Sequence, residues 1–406
     1  MRVPSLVLPC ALLLLAGVRA QDRTTEAGEA AITDPTVECT AYSYPPVLAV
    51  KANFPTIWQP VAAIPTTDAT ALAKFAAMNA TIPKISPKGT LTGDFSNFTP
   101  TYSSSDPDCW WTYHQCVTPK LSGLSNDIAN VPEPRTLGYG FDDGPNCSHN
   151  AFYDYLTQQG QKATMFYIGS NVFDWPLEAQ RAVADGHEIC VHTWSHRYMT
   201  AFSNEGAFGE LYYTMEAIKL VTGFTPKCWR PPFGDVDDRI RYIAAQLGLE
   251  TILWQYDSND WKVGTGNVTA ATVAANYDAL IADVGSGTFD GAGAIMLTHE
   301  LNNFTMQEAV NYYPKLAAAF DHIVPIAVAQ NKTQPYVETN FSMPTFEQYI
   351  SGTKQTNASA SGGGSGSTTG KGAEATGSSG ARPASVLPCA SLAALGALFA
   401  LVAVVA

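Results

Sequence analysis

Residues Tyr139–Pro145 read Tyr-Gly-Phe-Asp-Asp-Gly-Pro and place two adjacent carboxylates at the end of a short apolar run. The run, Leu137–Phe141, has the composition of a buried strand, and the Gly-Pro pair would end that strand abruptly. In α/β proteins, ligands and catalytic groups collect at the carboxyl ends of strands. Because neighbouring strand residues point to opposite faces, Asp142 and Asp143 can have different functions, one binding a metal and the other transferring a proton. An isolated Asp-Asp-Gly is more simply a surface turn, so the interpretation depends on the rest of the chain.

Strands and helices alternate regularly around this stretch, from about residue 134 to about residue 335. The predicted strands are Thr136–Phe141, Ala163–Ile168, Glu188–Val191, Cys228–Arg230, Glu250–Tyr256, Ala294–Leu297 and His322–Ile326. The predicted helices are His149–Gln159, Pro176–Asp185, Glu205–Thr222, Asp237–Leu247, Ala271–Val284 and Met306–Phe320. Such alternation predicts a parallel sheet, either open or closed. About seven strands fall short of a complete eight-stranded barrel.

The segment before this region has a different composition. Residues 21–130 are rich in Pro, Thr, Ser and Ala with weak periodicity, and we interpret them as an irregular extension that packs on the main domain, residues 131–335. A helix is predicted over Asp68–Met78, capped by Thr67 or by Asp68 itself. The aromatic run Trp110–Tyr113 lies between Cys109 and Cys116, which are close enough to pair, and this spacing indicates a clamped loop.

Both ends of the chain carry processing signals. Arg2, the apolar run Leu6–Val18 and a small-residue cleavage site before Gln21 predict a signal peptide over residues 1–20. Residues 336–380 form a linker rich in Ser, Gly and Thr, and residues 381–406 resemble a GPI-attachment propeptide, with attachment at Ser378 or Ser379. The alternative is a tail-anchoring transmembrane helix, which is less favoured because no basic residue follows the tail.

Composition and charge limit the class of partner and the compartment. The formal net charge of -13 argues against nucleic acid or anionic lipid as a partner, and nothing in the sequence implies a protein partner. Outside the predicted processed ends the cysteines form an even set without a CxxC spacing, which indicates disulfides in an oxidising compartment and not a metal site. Glycosylation sequons typical of a secreted cell-surface protein occur at Asn79, Asn97, Asn146, Asn267, Asn303, Asn331, Asn340 and Asn357.

Further polar clusters follow other predicted strands. In His192-Thr193-Trp194-Ser195-His196 the two histidines lie on one face if the segment is helical, and with an Asp they make a metal site that keeps positions open for water and substrate. The loop Arg230–Asp235 contains two prolines and a glycine, so its backbone N–H groups are held rigidly and can face a developing oxyanion. Asp257–Trp261 and Ile295–Glu300 complete the set. Five polar clusters at the ends of five strands predict an active site.

The five motifs GFDDGP, HTWSH, RPPFGD, DSNDW and LTHE, in this order, resemble those of the NodB-type polysaccharide deacetylases, carbohydrate esterase family 4. The resemblance covers about residues 131–330. The signal peptide, long extension, cysteines and GPI-like tail are most similar to those of fungal GPI-anchored chitin deacetylases. The resemblance implies a distorted (β/α) barrel with fewer than eight strands, the NodB-homology deacetylase fold.

The resemblance also implies a role for each residue that matches a motif. Asp143, His192 and His196 would hold a divalent metal, most often zinc, for which cobalt can substitute. Asp142 would be the general base, oriented by Arg230.

The remaining matched residues would protonate the leaving group and surround the substrate. His299 would be the general acid, supported by an acidic residue of the fourth motif, and the motif leaves Asp257 and Asp260 as alternatives for that role. The backbone N–H of Phe233 would stabilise the oxyanion. The positions implied to contact substrate are therefore Phe233, Trp261 and Leu297.

The implied activity is hydrolysis of N-acetyl groups in chitin or chitin oligosaccharides, giving chitosan and acetate at the outer face of the plasma membrane or in the cell wall. Deacetylation of acetylxylan or peptidoglycan is the alternative within the same chemistry, and a non-catalytic chitin-binding wall protein is the alternative from another class. The chain departs from the family pattern at Gly140, where Thr or Ser is usual, and at Phe233, where Tyr is frequent. Because neither is a ligand position, we expect these changes to tune substrate preference.

Overall fold

The computed structural model describes residues 22–352. The predicted signal peptide, the linker beyond residue 352, the sequon at Asn357 and the GPI positions Ser378 and Ser379 lie outside the described residues. Among the described residues, no helix has the length and apolarity required to cross a membrane.

Ten strands in the described part of the chain form two five-stranded sheets. They are β1 (Asn130–Val131), β2 (Thr136–Gly138), β3 (Gly140–Gly144), β4 (Thr164–Tyr167), β5 (Glu188–Val191), β6 (Cys228–Trp229), β7 (Glu250–Thr251), β8 (Tyr256–Asp257), β9 (Gly293–Leu297) and β10 (His322–Val324). One sheet has the order β3-β4-β5-β6-β7 and is entirely parallel. The other has the order β1-β9-β2-β10, with β8 also beside β9, and only the β1–β9 pair is antiparallel.

Two of the predicted strands are divided between the sheets, so their predicted extents were wrong. The run Thr136–Phe141 contains β2 and part of β3, and Tyr139 between them donates its N–H to Val324 and accepts from the Thr164 N–H. The run Glu250–Tyr256 similarly begins in β7 and ends in β8. Because the chain crosses between the sheets at both places, the two sheets together form one distorted barrel.

The barrel is completed where β3 lies beside the end of β9. The Asp142 N–H donates to the Thr298 carbonyl at 3.0 Å, and the Glu300 N–H donates to the Asp142 carbonyl at 2.8 Å. This pairing places the acidic motif next to the motif that contains His299. The fold is therefore the distorted, incomplete (β/α) barrel that the resemblance implied.

Fourteen α-helices accompany the strands in the described chain. They are α1 (Glu26–Ala30), α2 (Pro35–Glu38), α3 (Pro45–Val50), α4 (Ala69–Asn79), α5 (Trp111–His114), α6 (Asn150–Gln159), α7 (Gly169–Asp174), α8 (Pro176–Ala184), α9 (Asn204–Thr222), α10 (Asp238–Gln246), α11 (Ala270–Gly285), α12 (Asn303–Ala319), α13 (Ile326–Ala329) and α14 (Phe346–Ile350). The six helices predicted in the main domain are all present, within three residues at each end. In the extension, the helix predicted over Asp68–Met78 is α4, and Asp68 caps it by accepting the Ala71 N–H.

The extension and the barrel share one hydrophobic core. Val47, Val61 and Ile64 of the extension are buried and belong to the same cluster as the barrel strands. A disulfide joins Cys39 of the extension to Cys147 in the loop after β3. Two further disulfides are Cys109–Cys116, as the spacing suggested, and Cys190–Cys228 between β5 and β6.

Candidate active site

A cavity of about 720 Å³ opens at the carboxyl ends of the barrel strands. Most of the candidate residues line it: Asp142, Asp143, His192, His196, Phe233, Asp257, Trp261, Leu297 and His299. The other two candidates, Arg230 and Asp260, are buried behind these residues. The fold thus brings residues from all five motifs to one site.

Asp143, His192 and His196 form a cluster of potential metal ligands. Asp143 Oδ1 lies 3.4 Å from His192 Nε2 and 3.1 Å from His196 Nε2, and it is buried without a hydrogen-bond partner. Burial alone would raise the pKa of the Asp143 carboxyl, but the adjacent His196 and His192 imidazoles hold that pKa well below its ordinary value. One carboxylate and two imidazoles that converge in this way fit a divalent cation such as zinc.

Two other groups of potential ligands occur within the described residues. Each includes a disulfide, either Cys109–Cys116 or Cys190–Cys228, so neither group offers a free thiolate. The cluster around Asp143 is therefore the one that suits a metal in residues 22–352.

The segment that carries the two histidines is not a helix, contrary to the simplest interpretation of their spacing. After β5 the chain forms a turn in which Thr193 and His196 adopt left-handed backbone angles, with φ of 64° and 54°. The buried Glu210 carboxylate accepts the N–H groups of Trp194 and Ser195 at 2.9 and 2.8 Å. These bonds hold the turn, and the turn aims both imidazoles at Asp143.

The hydrogen bond at the other nitrogen of His192 gives its ring the orientation that a metal ligand would need. His192 Nδ1 lies 2.8 Å from the carbonyl oxygen of Arg230, to which only a protonated nitrogen can donate. This bond leaves the lone pair on Nε2, the atom that faces Asp143, and it fixes the ring orientation as is usual for metal-binding histidines.

Asp142 has different neighbours. Its Oδ1 accepts a hydrogen bond of 2.7 Å from Arg230 Nη1, while its Oδ2 lies 3.7 Å from His192 Nε2. The Arg230 side chain is completely buried, and its guanidinium lies over the Phe166 ring at 3.9 Å from the centroid. Burial lowers the pKa of Arg230, although the Asp142 charge opposes this effect. The guanidinium therefore holds the Asp142 carboxylate in one orientation at the edge of the cavity.

His299 is paired with Asp260, which distinguishes the two acids that the fourth motif left open. His299 Nδ1 lies 2.6 Å from Asp260 Oδ1, and the His299 N–H donates to Asp260 Oδ2 at 3.0 Å. Burial lowers the pKa of His299, but the Asp260 charge and hydrogen bond outweigh it and raise that pKa to about 9. Asp257 instead lines the cavity and accepts the Asn259 N–H at 2.7 Å.

An aromatic wall adjoins the metal-ligand cluster. The Phe233 ring stacks on Tyr198 with centroids 4.2 Å apart and lies 4.8 Å from the His196 ring. Trp261 lies 6.2 Å from both Phe233 and His299. At Gly234, which has a φ of 71°, a Cβ would come within 2.3 Å of the Trp111 ring, so only glycine fits this turn. The wall therefore depends on residues of the extension as well as on the third motif.

Several residues of the cavity were not predicted. Trp58 and Trp111 come from the extension, and Trp175 follows α7. Asn171 also lines the cavity, and its side-chain amide donates to the Asp143 carbonyl at 2.8 Å. The clamped loop around Trp111 was a partial signal in the sequence, whereas Trp58 lies in a stretch rich in Pro and Thr without any recognisable motif.

The structure shows the surroundings of Gly140, one of the two departures from the family pattern, and of the predicted glycosylation sequons. A Cβ at Gly140 would lie 2.9 Å from the Thr164 carbonyl oxygen, and the Gly140 carbonyl accepts the Thr298 hydroxyl at 2.6 Å, so β4 leaves no room there for a Thr or Ser. Asn146 is half-buried, and its amide nitrogen donates to the Leu301 carbonyl at 2.7 Å. The other sequons within the described residues are exposed: Asn79, Asn97, Asn267, Asn303, Asn331 and Asn340.

The chain is similar in sequence to known proteins. The family model described as polysaccharide deacetylase matches residues 129–252. Chitin deacetylase 2 of Cryptococcus neoformans var. grubii is 56% identical over 334 residues, which cover 81% of this chain and 73% of the relative. A chitin deacetylase of Amylomyces rouxii is 46% identical over 314 residues, 75% of this chain and 73% of the relative. The solved chitin deacetylase of Colletotrichum lindemuthianum is 21% identical with a TM-score of 0.45, over 51% of this chain and 92% of that chain.

Proposed function

Because this chain belongs to the polysaccharide deacetylase family, we propose that it is a metal-dependent chitin deacetylase, which hydrolyses the N-acetyl groups of chitin to give chitosan and acetate. The identity of 46–56% to fungal chitin deacetylases over most of the chain supports the substrate. One observation supports metal-dependent hydrolysis as the type of reaction. The cavity that contains the three potential metal ligands is also bordered by two side-chain pairs, Asp142–Arg230 and His299–Asp260.

The residues proposed to hold the metal are Asp143, His192 and His196. Their carboxylate and imidazole donors favour zinc, for which cobalt can substitute. A bound ion of this kind lowers the pKa of a water molecule and polarises the amide carbonyl of the substrate.

The side chains of this protein then move two protons. Asp142, held by Arg230, accepts a proton from the attacking water while the water oxygen bonds to the acetyl carbon. The Phe233 N–H stabilises the resulting oxyanion. His299, oriented by Asp260, donates its proton to the amine nitrogen as the C–N bond breaks and acetate is released. Trp261 and Leu297 enclose the acetyl methyl group.

We also propose that the protein enters the secretory pathway and is anchored by GPI at the outer face of the plasma membrane or in the cell wall. The three disulfides within the described residues support an oxidising compartment. Release of the protein from intact cells by a phospholipase that cleaves phosphatidylinositol anchors would test the anchor, and retention after complete treatment would contradict it.

The test of the activity is acetate release by the purified ectodomain. We expect release from soluble chitin oligomers and none from acetylxylan, and the reverse pattern would refute the substrate assignment. Asp142→Asn should keep the fold and the bound metal while lowering kcat by about a hundred-fold or more, because a general base contributes about 10²–10⁴ to the rate.

Asp278→Asn is a matched control for this substitution. Asp278 is exposed on α11, and its ion pair with Lys315 at 3.5 Å is also exposed, so the change should leave activity and folding intact. Full activity of Asp142→Asn would show that another group is the base.

A further inference from the structure

The extension contributes an exposed aromatic side chain to the active-site cavity. Trp58 is one of the lining residues and keeps 39% of its surface accessible. The motifs that carry the proposed chemistry all lie beyond residue 138, so nothing in the acid–base or metal-binding scheme uses this residue. Its exposed ring therefore calls for another explanation.

Trp58 is held rigidly although it is exposed. Its backbone N–H donates to Ser170 Oγ at 2.8 Å, and its indole N–H donates to Asp174 Oδ2 at 2.9 Å. Its φ of 62° lies in the left-handed region, which a tryptophan adopts only when its surroundings impose it. A ring fixed in advance loses little conformational freedom when a ligand packs on it.

The anchor of Trp58 is connected to the candidate metal site. Ser170, which accepts the Trp58 N–H, donates its own hydroxyl proton to the Trp194 carbonyl at 2.6 Å, within the turn that carries both histidines. Asp174, which accepts the indole N–H, is followed directly by Trp175, a second aromatic residue of the cavity lining. Ser170 and Asp174 therefore connect Trp58 both to the histidine turn and to the segment that carries Trp175.

We propose that Trp58 forms a glycan subsite, in which its indole face stacks on an N-acetylglucosamine ring next to the unit that is deacetylated. This inference rests on the proposed function. Pyranose rings present C–H groups on their faces and hydroxyl groups at their edges, so a flat apolar surface suits the face. The indole N–H is already paired with Asp174, which leaves the ring face as the part available for contact. A cavity of about 720 Å³ is also far larger than one acetyl group requires.

The experiment compares substrates of two lengths. For Trp58→Ala, we expect kcat/KM on a chitin pentasaccharide to fall by about three- to tenfold more than kcat/KM on N-acetylglucosamine, which has no neighbouring ring, because a single aromatic contact contributes about this much. Trp58→Phe should retain most of the preference for the longer substrate, since it keeps a flat ring. Trp58→Leu should lose it, since it keeps only apolar bulk.

Binding provides a readout that does not depend on turnover. In the Asp142→Asn background, the Kd of the pentasaccharide should rise for Trp58→Ala by a factor similar to the loss in kcat/KM. Leu48→Ala is the control, because Leu48 is 57% exposed in the extension and does not line the cavity. If Trp58→Ala does not fold, the Phe and Leu variants carry the comparison.

The outcomes separate the two hypotheses. Acetate release by the wild type, together with equal losses on both lengths or no loss at all, would overturn the subsite alone. A wild type that neither deacetylates nor binds chitin oligomers would overturn the proposed function, and the subsite with it.

Discussion

At the scale of single residues, Asp142 and Asp143 show how neighbours give two identical side chains different surroundings, which suit the two different functions proposed for them. The Asp142 carboxylate contacts the Arg230 guanidinium, whereas the Asp143 carboxylate faces two imidazoles. The left-handed backbone of Asp143, with a φ of 74°, allows this divergence between adjacent positions. The proposed roles follow from these contacts, since a cation orients a base and imidazoles share a metal with a carboxylate.

The Asp260–His299 pair leads to a prediction about pH dependence. A general acid must be protonated, so kcat/KM should fall as pH rises through the pKa of His299, which Asp260 raises to about 9. In Asp260→Asn the negative charge beside His299 is lost while the imidazole stays buried, so the pKa of His299 falls. The alkaline limb of the pH profile should therefore move to lower pH. A bound metal adds positive charge that lowers the same pKa in both proteins, so the measured quantity is the shift between their profiles.

Asp257→Asn is the matched control for this prediction. Asp257 lines the same cavity, but Asp260 makes the hydrogen bonds to His299. The control should therefore keep the alkaline limb of the wild type, even if its KM changes. A limb that moves in Asp257→Asn and not in Asp260→Asn would reverse the assignment.

The candidate residues were predictable from sequence where chemistry and spacing are local. The fourth motif could not be interpreted fully from sequence, because it contains both Asp257 and Asp260 and does not show which of them contacts His299. Asn259 between them adopts a left-handed conformation with a φ of 55°, and this reversal turns Asp260 toward His299. A backbone angle of this kind is a consequence of tertiary packing, so the motif alone left both acids as alternatives.

At the scale of elements, α9 connects the candidate metal site with the extension. Glu210 on this helix is fully buried and accepts the N–H groups of Trp194 and Ser195, which lie between the two histidines proposed as metal ligands. The same carboxylate accepts the Ser195 hydroxyl at 2.7 Å and the Val61 N–H at 2.9 Å. One side chain therefore fixes the histidine turn against both the helix and the extension.

We predict that Glu210→Gln weakens metal binding by about ten- to a hundred-fold, the usual effect of removing a partner that orients metal ligands. A Gln amide offers one acceptor oxygen where the carboxylate offers two, and its NH2 group would face N–H donors. The dissociation constant of zinc can be measured by competition with a chromophoric chelator. Glu216→Gln, farther along the same helix, should leave it unchanged, and wild-type affinity in Glu210→Gln would contradict this role.

The elements themselves were predicted unevenly, for physical reasons. The long helices were found because their apolar periodicity is strong. Thr136–Phe141 and Glu250–Tyr256 were each predicted as one strand because a continuous apolar run does not show where the chain changes sheets. The short helices of the extension, such as α1 and α2, were missed because so few residues are helical only where tertiary contacts support them.

At the scale of the whole molecule, the extension and the barrel are held together by long-range contacts that no local pattern reveals. The Val61 N–H reaches Glu210, which lies 149 residues away, and the Cys39–Cys147 disulfide spans 108 residues. The irregular composition of residues 21–130 is therefore compatible with a segment that packs closely on the barrel. It was also compatible with a loose tail, and only the contacts distinguish these two arrangements.

The junction between the extension and α8 contains buried carboxyl groups. Glu29 of α1 and Glu178 of α8 are both fully buried, and the Tyr42 hydroxyl donates to Glu178 at 2.5 Å. Burial is the main cause that raises their pKa values, to about 7 for Glu29 and about 8 for Glu178. Repulsion from Glu38 adds to the effect on Glu29, and repulsion from Glu29 adds to the effect on Glu178. The native protein therefore binds protons at a pH where the unfolded chain has released them.

This difference predicts that the junction loses stability as pH rises. A carboxyl whose pKa is higher in the folded state contributes its full stabilisation below the ordinary value of 4.5, and the contribution disappears as pH rises through about 8. The melting temperature of the wild type, at a fixed metal concentration, should therefore fall between about pH 5 and pH 8. In Glu178→Gln the fall should be smaller, because the amide does not titrate and still accepts the Tyr42 hydroxyl. Glu347→Gln, which changes an exposed acid on α14, should keep the wild-type slope, whereas equal slopes in all three proteins would show that Glu178 is not the titrating group.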